Sequence, residues 1–159
     1  MADRESLLSD LDAAHEAFLD ALSEVDADLV TTPGVMDDWS VRDIVVHVAA
    51  WSEHGTRALE LATSGRGDEF AYSTGDTDAM NVRILADARS TAPSAALERE
   101  AVSFAAFRDA IAKLDPALLG LALGNGDTVE AVIRYDGPDH YAEHTGPLRD
   151  WFGADDQDD

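Results

Sequence analysis

Trp39-Ser40-Val41-Arg42-Asp43-Ile44-Val45-Val46-His47-Val48-Ala49-Ala50-Trp51 is the stretch on which the reading of this chain turns. Ser40 followed by Asp43 has the form of a capping box, with aspartate in place of the usual glutamate, and opens a helix at Ser40. Ile44, His47, Val48, Trp51 and Leu59 then recur on or near one helical face. The helix is predicted to continue to about Thr63 and to stop before Ser64-Gly65-Arg66-Gly67. His47 thereby falls among core residues, where an imidazole without a partner is costly. It requires either a hydrogen-bond partner or a metal ion.

Helical periodicity extends in both directions from this segment. Leu7, Leu8, Leu11, Ala14, Phe18, Leu22 and Val25 predict a first helix over about Asp3 to Val25. His15, one position beyond Ala14, reads as a boundary or surface residue. Thr31-Thr32-Pro33-Gly34 breaks the chain before the second helix, and residues 67–75 read as a loop after it. A third helix starts near Asp76 or Thr77, pauses at Ser90-Thr91-Ala92, and resumes at Pro93 to end near Leu114. Asp115-Pro116 stops it, because a residue before proline avoids helical angles. Thr128 caps a last helix, which Gly137-Pro138 should kink or restart and Pro147 should disturb again. No segment alternates long enough to be a strand. The expected fold is all-α, an up-and-down four-helix bundle with an interrupted third helix, occupying residues 3–153 as one domain. Residues 154–159 are expected to form a disordered acidic tail.

Composition narrows the function classes. The 159 residues suffice for one domain with a sizeable core. There is no cysteine, which excludes disulfides, thiolate metal sites and cysteine nucleophiles. No apolar run is long enough to span a bilayer, and the polar start does not read as a signal peptide, so a cytoplasmic protein is expected. The formal charge is −22, from 33 acidic and 11 basic residues. Such a surface repels nucleic acid and anionic membranes, and neither is expected as a partner. Either a monomer or a homodimer is compatible with this patterning.

The same charge makes a prediction. Many carboxylates must lie within about 10 Å of one another, the Debye length near 0.1 M salt. Raising sodium chloride from about 0.02 to 1 M should lift the melting temperature by several degrees, mostly below about 0.5 M if screening is the cause. A rise that continues to multi-molar salt would mark a halophilic surface instead. A flat or falling melting curve would remove the repulsion argument.

Two further histidines form an H-x-x-x-H pair, His140-Tyr141-Ala142-Glu143-His144. On a helix these imidazoles share one face and can hold a single ion. A third imidazole from a facing helix, His47, completes a three-histidine set with coordination positions left for water or substrate. That is the arrangement of a catalytic metal site, since structural sites are normally closed by protein ligands. Imidazole suits zinc, nickel, iron and copper, and ligand type alone does not choose among them.

The pattern Asp38-Trp39-Ser40-Val41-Arg42-Asp43, with His47 and Trp51 after it, resembles the second helix of the DinB-like metal-binding four-helix bundles. His140-Tyr141-x-Glu143-His144, followed by Leu148-Arg149-x-Trp151-Phe152, is similar to their terminal helix, and Asn81 to the start of their third. The resemblance spans roughly residues 3 to 153. It departs from the family at Gly137-Pro138 and Pro147, inside what the family makes one helix. The superfamily includes metal-dependent thiol-S-transferases, mycothiol-dependent maleylpyruvate isomerases and colibactin-protection hydrolases. The resemblance implies His47, His140 and His144 as ligands of a divalent transition metal, zinc or nickel foremost. It also implies a low-molecular-weight thiol as a second cofactor and a small electrophilic molecule as substrate.

Other residues near the expected site have simpler accounts. His54, two turns after His47, reads as a rim histidine, with an accessory acid/base role as the alternative. Asp43 either orients His47 or only caps its helix. Glu143 reads as a solvated carboxylate, and Trp39 and Trp51 either pack the core or wall a substrate pocket. No catalytic base is assigned. Two function classes remain open: a metal-dependent thiol transferase or hydrolase, and a non-enzymatic binding or resistance protein on the same bundle. A third reading is a bundle without metal, in which His47 is an ordinary hydrogen-bonded core residue.

Overall fold

The computed structural model describes residues 2–71 and 76–155, the last four of these by backbone alone. Among these residues six α-helices carry the architecture: α1 (Arg4–Ser23), α2 (Val41–Thr63), α3 (Asp76–Arg89), α4 (Pro93–Lys113), α5 (Val129–Asp136) and α6 (Pro138–Asp155). Short 3₁₀ turns at Ala27–Leu29, Gly67–Glu69 and Pro116–Leu118 join them, and no strand occurs among the described residues. The fold is an all-α helical bundle. α2 packs chiefly on α4, and α1 chiefly on α6. α3 and α5 lie against α2.

Local chemistry sets the helix ends. Asp3 caps α1 by accepting from the Ser6 amide, and Thr128 caps α5 by accepting from that of Ala131. At α2 the capping box is reciprocal: Ser40 Oγ accepts from the Asp43 amide, and Asp43 Oδ2 accepts from the Ser40 amide at 2.9 Å. Pro93 opens α4 at a position where its missing N–H costs nothing. The core combines Leu7, Leu11 and Phe18 of α1 with Ile44, Val45 and Leu59 of α2, Phe107 and Ile111 of α4, Ile133 of α5 and Leu148 of α6.

The last expected helix is two helices, and the site depends on where they part. Gly137 stands between them, and a Cβ there would lie 2.5 Å from the Ile133 carbonyl oxygen. Only glycine fits that approach. The chain then restarts at Pro138, so both histidines of the H-x-x-x-H pair fall on one helix beyond the break. Pro147 is accommodated inside α6 one turn after them. α6 also continues through residues 154 and 155, which were expected to belong to the tail. Residues 156–159 of that tail, and 72–75 of the expected loop, lie outside the described residues. No helix among the described residues is long and apolar enough to cross a membrane.

Candidate metal centre

α2 and α6 bring His47, His140 and His144 together in the interior, where they are 5%, 8% and 3% exposed. His140 Nε2 lies 2.9 Å from His47 Nε2 and 3.1 Å from His144 Nε2. One ligand atom from each ring lies within 4.8 Å of the other two. Burial, with the neighbouring imidazoles adding to it at His47 and His140, holds all three below the ordinary histidine range. His47 falls to about 3 and His144 to about 4. At neutral pH the three rings are uncharged, the form in which imidazole offers a lone pair to a metal.

Hydrogen bonding accounts poorly for this convergence. A neutral imidazole nitrogen carries one proton or one lone pair, never both. His140 Nε2 approaches two other Nε2 atoms and can satisfy only one of them well. Three lone pairs directed at one cation meet no such conflict. Nitrogens bound to one ion at about 2.0–2.1 Å stand roughly 2.9–3.4 Å apart for angles between right and tetrahedral. The two short separations lie in that range and the third is within 4.8 Å, so the donor set has the chemistry, and nearly the spacing, that a transition metal takes. The three Nδ1 atoms are buried and have no protein partner among the described residues. Among the described residues, no carboxylate orients these rings, as one usually does for metal-bound histidine.

The neighbouring residues sort themselves by contact. Asp43 is engaged by the cap and by Arg42, so it does not orient His47. Trp39 meets the His47 ring edge-on at 4.8 Å between centroids. Trp51 lies 6.2 Å from the His140 ring, and its indole N–H donates to Asn81 Oδ1 at 3.1 Å. Both tryptophans line a cavity of about 530 Å³, along with the three histidines, Asn81 and Glu143. That volume suits a small organic ligand.

Three features lay beyond the sequence reading. Asp136, 1% exposed, lines the same cavity and is held by His54 Nδ1 at 2.7 Å from its Oδ2. Burial raises its carboxyl to about 6, against the opposing pull of His54. Tyr135 also lines the cavity and donates to Asp127 Oδ2 at 3.2 Å. On α1, His15 is the boundary residue its spacing predicts, but an engaged one: it stacks on Phe104 at 3.5 Å and bonds the buried Glu100 at 2.8 Å. The spacing could have revealed this last group. Glu100 recurs with Phe104, Phe107 and Ile111 on one face of α4, and His15 lies between Leu11 and Phe18 on α1.

With this geometry in place, comparison with known proteins assigns the family. Residues 11–136 match the model of the mycothiol maleylpyruvate isomerase N-terminal domain. The chain belongs to that family. The matched stretch contains His47 and ends before His140 and His144. The family lies within the DinB-like bundles that the sequence resembles. No curated protein matches the chain. Solved structures that share the fold include an uncharacterised protein from Escherichia coli UTI89, with a TM-score of 0.84 and 16% identity over 98% of this chain and 96% of that one. Another is the colibactin self-resistance protein ClbS in complex with double-stranded DNA, with a TM-score of 0.80 and 16% identity over 94% of this chain and 95% of that one.

The ClbS complex corrects one expectation. Nucleic acid was excluded as a partner on net charge, yet a protein of this architecture is seen bound to duplex DNA. Total charge was the wrong quantity, because phosphate binding follows the local placement of basic side chains rather than their sum over the chain.

Proposed function

We propose that the chain, read as one domain over residues 3–153, is a metal-dependent enzyme that acts on a small electrophilic molecule. It would catalyse either thiol transfer or hydrolysis, in a cytoplasmic setting where small thiols stay reduced. His47, His140 and His144 are the ligands, and zinc or nickel is the ion. The observation that carries this reading is the convergence of three buried, neutral Nε2 atoms at the wall of a ligand-sized cavity. The family name supports a low-molecular-weight thiol as co-substrate.

A bound metal supplies Lewis acidity, which lowers the pKa of water or a thiol that reaches it. The protein's own contributions are separate. Burial keeps the imidazoles deprotonated, and the Asn81 bond fixes Trp51 as a wall of the cavity. Asp136 is the candidate proton acceptor, because its carboxyl near 6 is close to the operating pH and His54 holds its orientation.

Metal analysis of protein purified without a histidine tag tests the reading. About one equivalent of zinc or nickel is expected after reconstitution, and less than about 0.2 equivalents of any transition metal would count heavily against it. Turnover then separates the classes. Metal-loaded protein that consumes no member of a panel of thiols with electrophiles, or of strained-ring substrates, would favour a binding or resistance protein.

A further inference from the structure

The cavity beside the three histidines has a one-sided charge. Its aromatic walls are Trp39, Trp51 and Tyr135, and its carboxylates are Asp127, Asp136 and Glu143. Among the described residues, no arginine or lysine lines it. Residues 72–75, Tyr-Ser-Thr-Gly, include no basic side chain that could supply one.

The whole chain is acidic, with 33 acidic residues against 11 basic ones, and most of the basic side chains pair with acids outside this cavity. Outside it some acids do have a basic partner: Arg89 pairs with Asp38, Arg99 with Glu53 and Asp87, Arg108 with Asp12, Lys113 with Asp109, and Arg134 with Asp10. Among the described residues, none of the three cavity carboxylates pairs with arginine or lysine. Asp127 is held by the neutral donors Asn125 and Tyr135, and Asp136 by His54. Carboxylates without an arginine or lysine partner, set next to aromatic faces, attract an organic cation by charge and by cation–π contact, and repel an anion.

We infer that this cavity accepts a substrate with a protonated amine on an apolar body, and rejects carboxylates, including dicarboxylates of the maleylpyruvate kind. The inference rests on the reading of this cavity as the substrate site. It does not require the metal.

Three probes of one shape test it: phenethylamine, phenethyl alcohol and 3-phenylpropionate. Binding to chelator-treated protein is followed by quenching of tryptophan fluorescence and by calorimetry. Phenethylamine should bind at least about tenfold more tightly than 3-phenylpropionate, with the alcohol between them. The double variant Asp127→Asn, Glu143→Gln should reduce that ratio to within about twofold. A control with the same loss of charge outside the cavity, Glu16→Gln with Glu98→Gln, should leave it near the wild-type value. The inference is overturned if the carboxylate binds as tightly as the amine, if the cavity variant leaves the ratio unchanged, or if no probe binds at millimolar concentration. Zinc or nickel titration of the same preparation reports on the metal separately, so either reading can fail without the other.

Discussion

His144→Ala protein is expected to bind zinc or nickel at least about a hundredfold more weakly than the wild type, with its helical content kept. Loss of an orienting partner alone commonly costs about 10–100-fold in metal affinity, and loss of a ligand should cost no less than the upper figure. Helicity should survive because alanine favours helix, and because His47 and His140, 2.9 Å apart, can still share one N–H···N bond. Competition titration against a chromophoric chelator, with circular dichroism on the same samples, measures both. Unchanged affinity would remove His144 from the ligand set.

Acid gives this prediction a second handle. Protons compete for an ordinary imidazole near pH 6.5, but burial holds His47 at about 3 and His144 at about 4. Wild-type affinity should therefore hold steady from about pH 7.5 to 6 and fall only towards about pH 4. The same depression acts on folding of the metal-free protein. Its unfolded histidines take up protons near pH 6.5 that the folded ones refuse, so stability declines as the pH falls from about 6.5 towards 4. Asp136, raised to about 6, opposes this between about pH 6 and 4, but it is one group against three.

How much of this was legible depended on whether the cause was local. The α2 capping box is a four-residue signal, and Ser40 with Asp43 behaves as its spacing requires. The H-x-x-x-H pair is equally local, because the break at Gly137 precedes both histidines and leaves their i,i+4 relation intact. The convergence of His47 with that pair depends on how α2 meets α6. A single sequence suggests that contact only through the apolar face each helix must bury. Asp136 illustrates what stayed hidden. It ends a short helix beside a glycine, which reads as a turn residue, and its burial arises from the packing of α5 on α2. The charge argument failed for a related reason: a sum over the chain has no position, whereas recognition does.

Glu100→Ala is expected to lower stability by about 3–5 kcal/mol and the melting temperature by roughly 6–20 °C. Glu100 sits on α4, 2% exposed, where one carboxyl oxygen meets His15 Nε2 of α1 at 2.8 Å and the Tyr141 hydroxyl of α6 at 2.7 Å. Three helices are thus tied at a single atom. Tyr141 is fully buried, and burial together with Glu100 raises its pKa, so it keeps its proton and donates it. Removing the carboxyl strands two interior polar groups, at about 1–3 kcal/mol each, and leaves a void that Phe104, stacked on His15, cannot close without losing that stack. Glu100→Gln keeps an acceptor of similar shape and should cost roughly half as much. Thermal and urea unfolding of both variants decide the matter. If Glu100→Ala falls within about 1 kcal/mol of the wild type, the cluster does not tie these helices together, and α1 meets α6 through its apolar stripe alone.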